Sequence, residues 1–348
     1  MKRFLPIAFV LVLVTLPLWM RDPYYLHMLV TTGIFTIAAM SLNLLLGYNG
    51  QLSLGHVAFF GIGAYTSALV SLGFDVDIFD YTIVHDPWPP VLGFFIAILV
   101  TGVCGYLIGK LSFKVRGAYF VIVTISFAEV VRLVALNWMD LTQGPLALTN
   151  IPPIVLGAKS IGYVSILGKV PSYYLVLGVA ALAFLLISRI VHSRYGRAMI
   201  ALKENESLAL ACGIDVTKYL VFGAVVSAAM AGAAGSLYAH YIRIVDPEIF
   251  MFMNTVTMVI MVITGGKGTL YGPIVGGLIF GILPVGLRVV AGPEVQWIIY
   301  GALMIAILLV LPEGIVPAIQ RRFGLSAGNE SKERPPADKS LVRGEQAL

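Results

Sequence analysis

The chain has 348 residues, of which 59% are hydrophobic and 12% are charged, and its net charge is +5. A soluble domain carries roughly 25% charged residues, so the low charge and a mean hydropathy of +0.91 indicate that lipid is the solvent for much of this surface. The composition excludes an ordinary soluble domain. The net charge gives no indication that nucleic acid is a partner.

Long apolar runs without strict alternation predict that the chain crosses the membrane as helices, which satisfy their own backbone hydrogen bonds. The predicted fold class is all-α: a polytopic transmembrane helical bundle of about ten spans, each of roughly 20 residues. The first run follows Lys2 and Arg3 as in a signal peptide, but it lacks a small-residue cleavage site and is interpreted as an uncleaved span. The predicted spans are 4–20, 24–46, 52–72, 91–109, 117–137, 172–190, 219–240, 249–264, 271–290 and 296–311.

Lysines and arginines predict the orientation of these spans, because they accumulate on the cytoplasmic side of a membrane. With the N-terminus inside and an even number of spans, the cytoplasmic segments hold Lys2, Arg3, Lys110, Lys114, Arg116, Arg194, Arg197, Lys203, Lys218, Lys267 and the tail from Arg321. The opposite segments hold Arg21, Lys159, Lys169 and Arg243. Both the N-terminus and the C-terminus are therefore predicted to be cytoplasmic.

The domain organisation is predicted to be simple. Residues 1–323 form one transmembrane domain, and the polar tail 324–348 is predicted to be disordered. The outer segment 138–171 is too long for a turn and is expected to form a short helix or a lid. Small residues that predict close helix packing crowd two spans; they are Ser227, Gly232, Ala233 and Gly235, and Gly276, Gly277 and Gly281.

The segment 191–218 is too long for a turn and too polar to cross the membrane. Its middle predicts a short amphipathic helix with Ala198, Leu202 and Ala209 on the apolar face, ending at Gly213, which suits a left-handed cap. From the residues alone, two interpretations stay open: a helix that docks into a soluble partner, and a connector that lies on anionic lipid headgroups.

Four stretches carry a family resemblance. The stretch 206–213 resembles the E-x-x-A-x-x-x-G loop of ABC-importer permeases, although Ser207 and Leu208 stand where many importers have two alanines. The longer stretch 197–215 is similar to the LivM-type permeases of branched-chain amino acid importers, and so are 47–56, 116–120 and 265–273. The four stretches occur in the order that this family shows.

This resemblance implies a permease subunit of an ABC importer that moves branched-chain amino acids inward across the cytoplasmic (inner) membrane of a prokaryote. The implied partners are two ATP-binding cassette subunits, a second related permease, an extracytoplasmic amino-acid-binding protein and membrane lipid. No cofactor and no enzymatic activity are expected in this chain, because ATP and Mg²⁺ belong to the ATPases and the sequence has no G-x-x-x-x-G-K-[ST] phosphate loop. The residues implied in coupling to the ATPases are Arg197, Glu204, Glu206, Ala209 and Gly213.

The segment 47–56 is a candidate for the translocation path. Gly47, Gly50 and Gly55 interrupt helical continuity, and irregular backbone at membrane depth is tolerated only when it is buried in protein or lines a cavity. The alternatives are a broken helix beside the path and a cytoplasmic turn. His56 is interpreted as a hydrogen-bonded packing residue rather than a proton relay. The candidate path residues in and near this segment are Asn43, Asn49, Gln51, Ser53 and His56.

Residues 47–52 and 265–270 share the pattern G-x-x-G-x-L, and each stretch leads into a span. Transporters are often built from internal repeats. Both a structural repeat and a coincidence stay open as explanations.

Glu129 and Arg132 are a further candidate part of the path. At this spacing they share one helix face and neutralise each other, and charges inside a membrane are candidates for function. Such a pair suits the ammonium and carboxylate groups of an amino acid. The favoured alternative is an internal salt bridge near the outer membrane edge that stabilises the bundle.

Other functional classes stay open as alternatives. Importers of urea, amides or other small solutes would look nearly alike in sequence. A secondary transporter would need several buried carboxylates, and only Glu129 and Glu313 qualify. A membrane enzyme would need converging catalytic groups, whereas the histidines are scattered. Cys104 and Cys212 predict neither a disulfide nor a metal site.

Overall fold

A computed structural model describes residues 12–17, 19, 22–78, 81–113, 117–156, 164–165, 168–288 and 293–322. Most of the predicted span 4–20, the basic residues Lys114 and Arg116, and the predicted tail 324–348 lie outside the described residues. The described part of the chain is dominated by helices, in agreement with the predicted all-α class.

The helices follow the predicted apolar runs closely in position. They are α1 (Pro23–Asn43, extended by a π-helical turn Leu44–Tyr48), α2 (Val57–Leu72), α3 (Pro90–Ser112), α4 (Ala118–Asn137), α5 (Met139–Thr142), α6 (Lys169–His192), α7 (Arg194–Glu204), α8 (Glu206–Ala211), α9 (Val216–Ile242), α10 (Phe252–Gly265), α11 (Gly272–Arg288), α12 (Pro293–Val310) and α13 (Ile315–Arg322).

Local sequence fixes where two of these helices begin. The Asp22 side chain accepts a hydrogen bond from the backbone of Tyr24 at 2.9 Å, and Pro23 fits the first position of α1. Asp215 caps α9 in the same way, by accepting from the backbone of Lys218 at 3.0 Å.

Five helices of the described chain are long and apolar enough to cross a membrane: Pro23–Tyr48, Pro90–Ser112, Tyr119–Asn137, Lys169–His192 and Val216–Ile242. Three shorter apolar helices are Val57–Leu72, Phe252–Gly265 and Gly272–Leu283. The chain is therefore a helical membrane protein, and the count of about ten spans and the orientation of the termini stay predictions.

The two helices at the centre of the bundle are α1 and α9. In the most apolar stretch of each, 78% of the residues are buried by the protein, against 22% or less in α3, α4 and α6. Helix α9 packs against α1, α2 and α3, and α1 also packs against α6, α10 and α11. Helices α3, α4 and α6 therefore present broad apolar faces to lipid or to another subunit.

Glycines allow this close packing, as the sequence predicted. A Cβ atom on Gly63 of α2 would collide with the backbone of Gly232 in α9, and one on Gly235 would collide with the carbonyl group of Phe60. In α11, Gly277 lies against the side chain of Thr36. These contacts bring helix backbones together as small residues do in membrane bundles.

The end of the bundle opposite α7 and α8 carries the irregular connections. Two antiparallel two-stranded sheets lie there, β1 (Phe74–Ile78) with β2 (Tyr81–His85) and β3 (Val155–Leu156) with β4 (Val164–Ser165). The short helix expected within 138–171 is α5. Leu148 pairs with Val245 through two backbone hydrogen bonds of 2.9 and 3.0 Å, which tie this segment to the chain after α9.

Candidate functional site

The segment 191–218 forms two short helices, α7 and α8, where the sequence predicted one. Ser193 caps α7 by accepting from the backbone of Tyr195 at 3.1 Å, and Asn205 interrupts the helix and caps α8 by accepting from Leu208 at 3.0 Å. Gly213 has a φ of +80°, so the predicted left-handed cap after α8 is confirmed.

The apolar face of this segment packs on its own bundle. Ala198, Leu202 and Ala209 are all buried, as the pattern predicted. Leu202 and Ala209 belong to one cluster with Val216 and Leu220 of α9. The same cluster includes residues from three other elements: Leu45 of the π-helical turn, Phe113 after α3 and Phe120 of α4. We call these seven residues the coupling cluster.

The outward surface of the segment combines charged and apolar side chains. Arg197 and Glu204 are exposed, and Glu206 is half-buried. Leu208 and Leu210 are 63% and 50% exposed, on either side of the buried Ala209. Sequence reasoning missed these two leucines because it assigned apolar residues of the segment to the face that packs on the bundle.

Most polar side chains in and near the segment 47–56 are buried, although Gly50 itself is exposed. Asn43, Asn49, Ser53 and His56 are each 2% exposed or less, and Gln51 is half-buried. The side chain of Asn49 donates to the carbonyl group of Leu220 at 3.3 Å. The helix ends in a π-helical turn, a distortion that is frequent at functional sites.

His56 is hydrogen-bonded at one ring nitrogen. Its Nε2 lies 2.8 Å from Oγ of Ser41, and Ser227 donates to the carbonyl group of Ser41 at 2.5 Å. Its Nδ1 and the Oδ1 atom of Asn49 are buried without a hydrogen-bond partner in the described part of the chain. Buried polar atoms are rarely left unsatisfied, so these two atoms are places where water or a polar ligand would bind favourably.

The broken backbone of this segment reaches α4. A Cβ atom on Gly55 would collide with the carbonyl group of Thr124, and Val57 and Ala58 pack against Ala128. Thr124 is six residues into α4, about 9 Å along the helix axis. The C-terminal part of segment 47–56 therefore enters the bundle, while Gly50 stays at its end beside Lys203.

Glu129 and Arg132 form the predicted ion pair. Nε of Arg132 donates to both carboxylate oxygens of Glu129 at 3.1 and 3.0 Å, and Nη2 lies 2.5 Å from Oε1. Eleven residues separate Glu129 from the start of α4, which is about 17 Å in a helix of about 30 Å. The side chains of Glu129 and Arg132 are 51% and 29% exposed, so the pair faces away from this bundle, near the middle of the span.

The two G-x-x-G-x-L stretches contact each other. The Asn43 side chain accepts from the backbone of Gly268 and donates to the carbonyl group of Thr269, both at 2.9 Å. A Cβ atom on Gly47 would collide with the backbone of Gly268. Gly50 and Gly268 occupy the same position in the pattern and have φ angles of +73° and +75°. We call residues 47–52 and 265–270 the two glycine turns.

A comparison with protein families gives the identity. A family model described as the permease component of the branched-chain amino acid transport system matches residues 24–308. The chain belongs to this permease family. The match begins at α1 and extends into α12, so it includes segment 191–218, both glycine turns and the Glu129–Arg132 pair.

Individual relatives agree with the family match. This permease is 28% identical to the high-affinity branched-chain amino acid transport system permease protein LivM of Salmonella typhimurium, over 87% of this chain and 72% of the relative. It is 28% identical to LivH of Escherichia coli, over 81% of this chain and 91% of the relative. It is 26% identical to a probable LivM of Methanocaldococcus jannaschii, over 82% and 91%. No solved structure matches the chain significantly.

The family match confirms the resemblance that the sequence motifs indicated. The protein is a multi-pass membrane subunit of a prokaryotic transport system. The individual roles of the candidate coupling and path residues stay predictions, for which the contacts above supply the physical basis.

Proposed function

We propose that this chain is the permease subunit of an ABC importer that moves branched-chain amino acids inward, driven by partner ATPases. The observation that carries the proposal is the α7–α8 unit, which packs on the bundle through a buried apolar face and presents Leu208 and Leu210 outward. A connector resting on lipid would explain the buried face. It would not explain why Leu202 and Ala209 share one buried cluster with residues of the π-helical turn, α4 and α9.

Coupling would proceed through the coupling cluster. Arg197, Glu204, Glu206, Leu208 and Leu210 would meet the ATPase, and Gly213 would fix the exit of the chain from α8. Ala209 is buried, so its part would be to anchor α8 rather than to touch the ATPase. Because closely packed interiors transmit displacement, movement of α8 would reach Leu220, Leu45 and Phe120.

The face of α4 that carries Glu129 and Arg132 would line the path between this subunit and a second related permease. A charge near the bilayer centre costs about 2.5–3.5 kcal/mol on insertion scales, and such groups face protein or water. A second permease subunit and an aqueous path beside α4 would keep the side chains of Glu129 and Arg132 out of contact with lipid hydrocarbon. The ammonium and carboxylate groups of an amino acid would match Glu129 and Arg132. The unsatisfied atoms of Asn49 and His56 lie inside the bundle and would bind water or substrate where the path opens between the helices of this subunit.

The whole system would include further components. We assign ATP and Mg²⁺ to two ATP-binding cassette subunits and substrate capture to an extracytoplasmic binding protein. The permease would have about ten spans in the inner membrane, with both termini in the cytoplasm. It would work by alternating access, as helical transporters do.

Reconstitution tests the function. The chain, a second permease, both ATPases and the binding protein are placed in vesicles, and uptake of leucine, isoleucine and valine is measured with urea and an amide as comparison solutes. We expect ATP-dependent, saturable uptake of the three amino acids and no ATP hydrolysis by the permease alone. Uptake of only urea or the amide would establish the alternative substrate class. Uptake without ATP would indicate a secondary transporter.

A further inference from the structure

Lys203 of α7 lies where the two glycine turns meet. Its Cγ atom is 3.0 Å from the position that a Cβ on Gly50 would occupy, and its Nζ atom is 3.4 Å from the corresponding position on Gly268. One side chain therefore contacts both turns. It does so at the two glycines that share a position in the G-x-x-G-x-L pattern and a left-handed φ.

The charge of Lys203 suits this place. The first glycine turn follows the end of α1 at Tyr48, and the second follows the end of α10 at Gly265. The C-terminal end of a helix carries roughly half a negative charge, and the contact between Gly47 and Gly268 brings two such ends together. The ammonium group of Lys203 lies beside the second turn and its aliphatic stem beside the first, so its positive charge favours the approach of the two helix ends.

The position of Lys203 along the chain also matters. It lies in the last turn of α7, two residues before Asn205, whose side chain caps α8. The aliphatic part of Lys203 therefore moves with the segment that carries Leu208 and Leu210. This places a contact to both glycine turns directly beside the surface assigned to the ATPase.

We propose that Lys203 is a positioning residue that joins the two glycine turns to the α7–α8 unit, so that movement of this unit displaces α1 and α10 together. Lys203 does not touch the substrate in this mechanism. It acts on the helix pair α1–α2 through Gly50 and on the pair α10–α11 through Gly268. The inference rests on the proposed function, since it assigns a role within ATP-driven import.

The test measures how much substrate is imported for each ATP hydrolysed. Lys203→Met keeps a similar side-chain length without the charge, and it is compared with the unaltered chain in the complete reconstituted importer. Uptake and ATP hydrolysis are measured in the same vesicles. We expect the ratio of substrate to ATP to fall about tenfold, within the range of typical coupling effects, while the ATPase subunits still copurify.

Two matched variants separate charge from position. Lys203→Arg keeps the cation and is expected to keep the original ratio. Lys218→Met removes an exposed cation from the same segment, away from the glycine turns, and is expected to leave the ratio unchanged. Rescue by arginine alone would distinguish positioning by charge from a general requirement for a large side chain.

Two results would overturn the proposal. One is an unchanged ratio of substrate to ATP in Lys203→Met. If Lys203→Met does not copurify with the ATPase subunits, Lys203→Gln is measured in the same way. Failure of both variants to copurify is the other result, since it would make Lys203 an assembly residue. An error in the proposed function would show differently, as the absence of branched-chain amino acid uptake by the unaltered complex.

Discussion

The side chain of Asn43 is bound to the backbone of Gly268, which lies 225 residues further along the chain, at a distance of 2.9 Å. The same amide donates to the carbonyl group of Thr269, so both of its polar atoms have partners. Because Asn43 is only 1% exposed, water cannot replace these partners. The two bonds fasten the end of α1 to the turn between α10 and α11.

Replacing Asn43 with alanine should therefore destabilise the bundle. The backbone groups of the half-buried Gly268 and Thr269 would lose their partners, at a cost of up to about 1–3 kcal/mol for each group that water does not reach. Thermal unfolding of the purified permease in detergent measures the effect, and we expect a lower midpoint. Asn137→Ala is the control, because Asn137 is exposed and donates only to Leu133 within its own helix. Equal midpoints for the two variants would refute the structural role of Asn43.

Replacing Gly213 with valine should abolish uptake without preventing membrane insertion. A residue with a side chain in the left-handed conformation costs about 1–2 kcal/mol, and nothing lies within 4 Å of the added Cβ atom, so backbone strain is the cause rather than a clash. Copurification of the ATPase subunits should weaken. Gly178→Ala is a matched control, because an added Cβ there also has open space but no positive φ is involved. Normal uptake by Gly213→Val would argue against a coupling role for the left-handed turn at Gly213 after α8.

Substitution of Leu208 by alanine should weaken association with the ATPase subunits. Full burial of a leucine side chain contributes about 1.5–3 kcal/mol, and alanine loses part of this, so we expect a several-fold loss of affinity in a pull-down titration. Leu146→Ala provides the comparison, because Leu146 is 76% exposed at the opposite end of the bundle. If Leu208→Ala binds the ATPase as the parent chain does, the contact surface lies elsewhere on the segment.

Exchanging the charges of the Glu129–Arg132 pair distinguishes its two interpretations. The double variant Glu129→Arg/Arg132→Glu keeps an ion pair at the same depth in the membrane but reverses its direction. If the pair lines the path and orients a zwitterionic substrate, membrane insertion should be normal. Uptake should fall by at least about tenfold, which corresponds to a loss of about 1.4 kcal/mol of interaction with the substrate. Full uptake by the exchanged pair would mean that it only stabilises the bundle. Glu129→Gln alone should impair insertion or assembly, since it leaves Arg132 unpaired in a span.

The sequence predicted well those features that depend on local pattern. The apolar runs located the main helices, and spacing identified the buried face of Ala198, Leu202 and Ala209. The left-handed cap at Gly213 followed from the residue type. Close helix packing followed from the small residues in the spans, and the contact between Gly232 and Gly63 confirms it.

Features that depend on tertiary structure could not be predicted in this way. Helix α2 begins at Val57 rather than near residue 52, because the polar segment before it enters the bundle and bonds to other helices. The contact of Asn43 with Gly268 joins distant segments, and neither residue alone indicates its partner. The exposure of Glu129 and Arg132 also depends on tertiary structure, because their spacing shows that they share a helix face but not which face of α4 packs on the bundle.

One consequence concerns Cys212, which is exposed directly after α8, whereas the only other cysteine, Cys104, is half-buried in α3. The natural chain thus carries an accessible thiol beside the surface proposed for the ATPase, and little competing reactivity elsewhere. A fluorescent maleimide at Cys212 would report docking in real time on the unaltered sequence. Binding and release of the ATPase at this surface could then be followed by fluorescence spectroscopy without first engineering a cysteine-free protein.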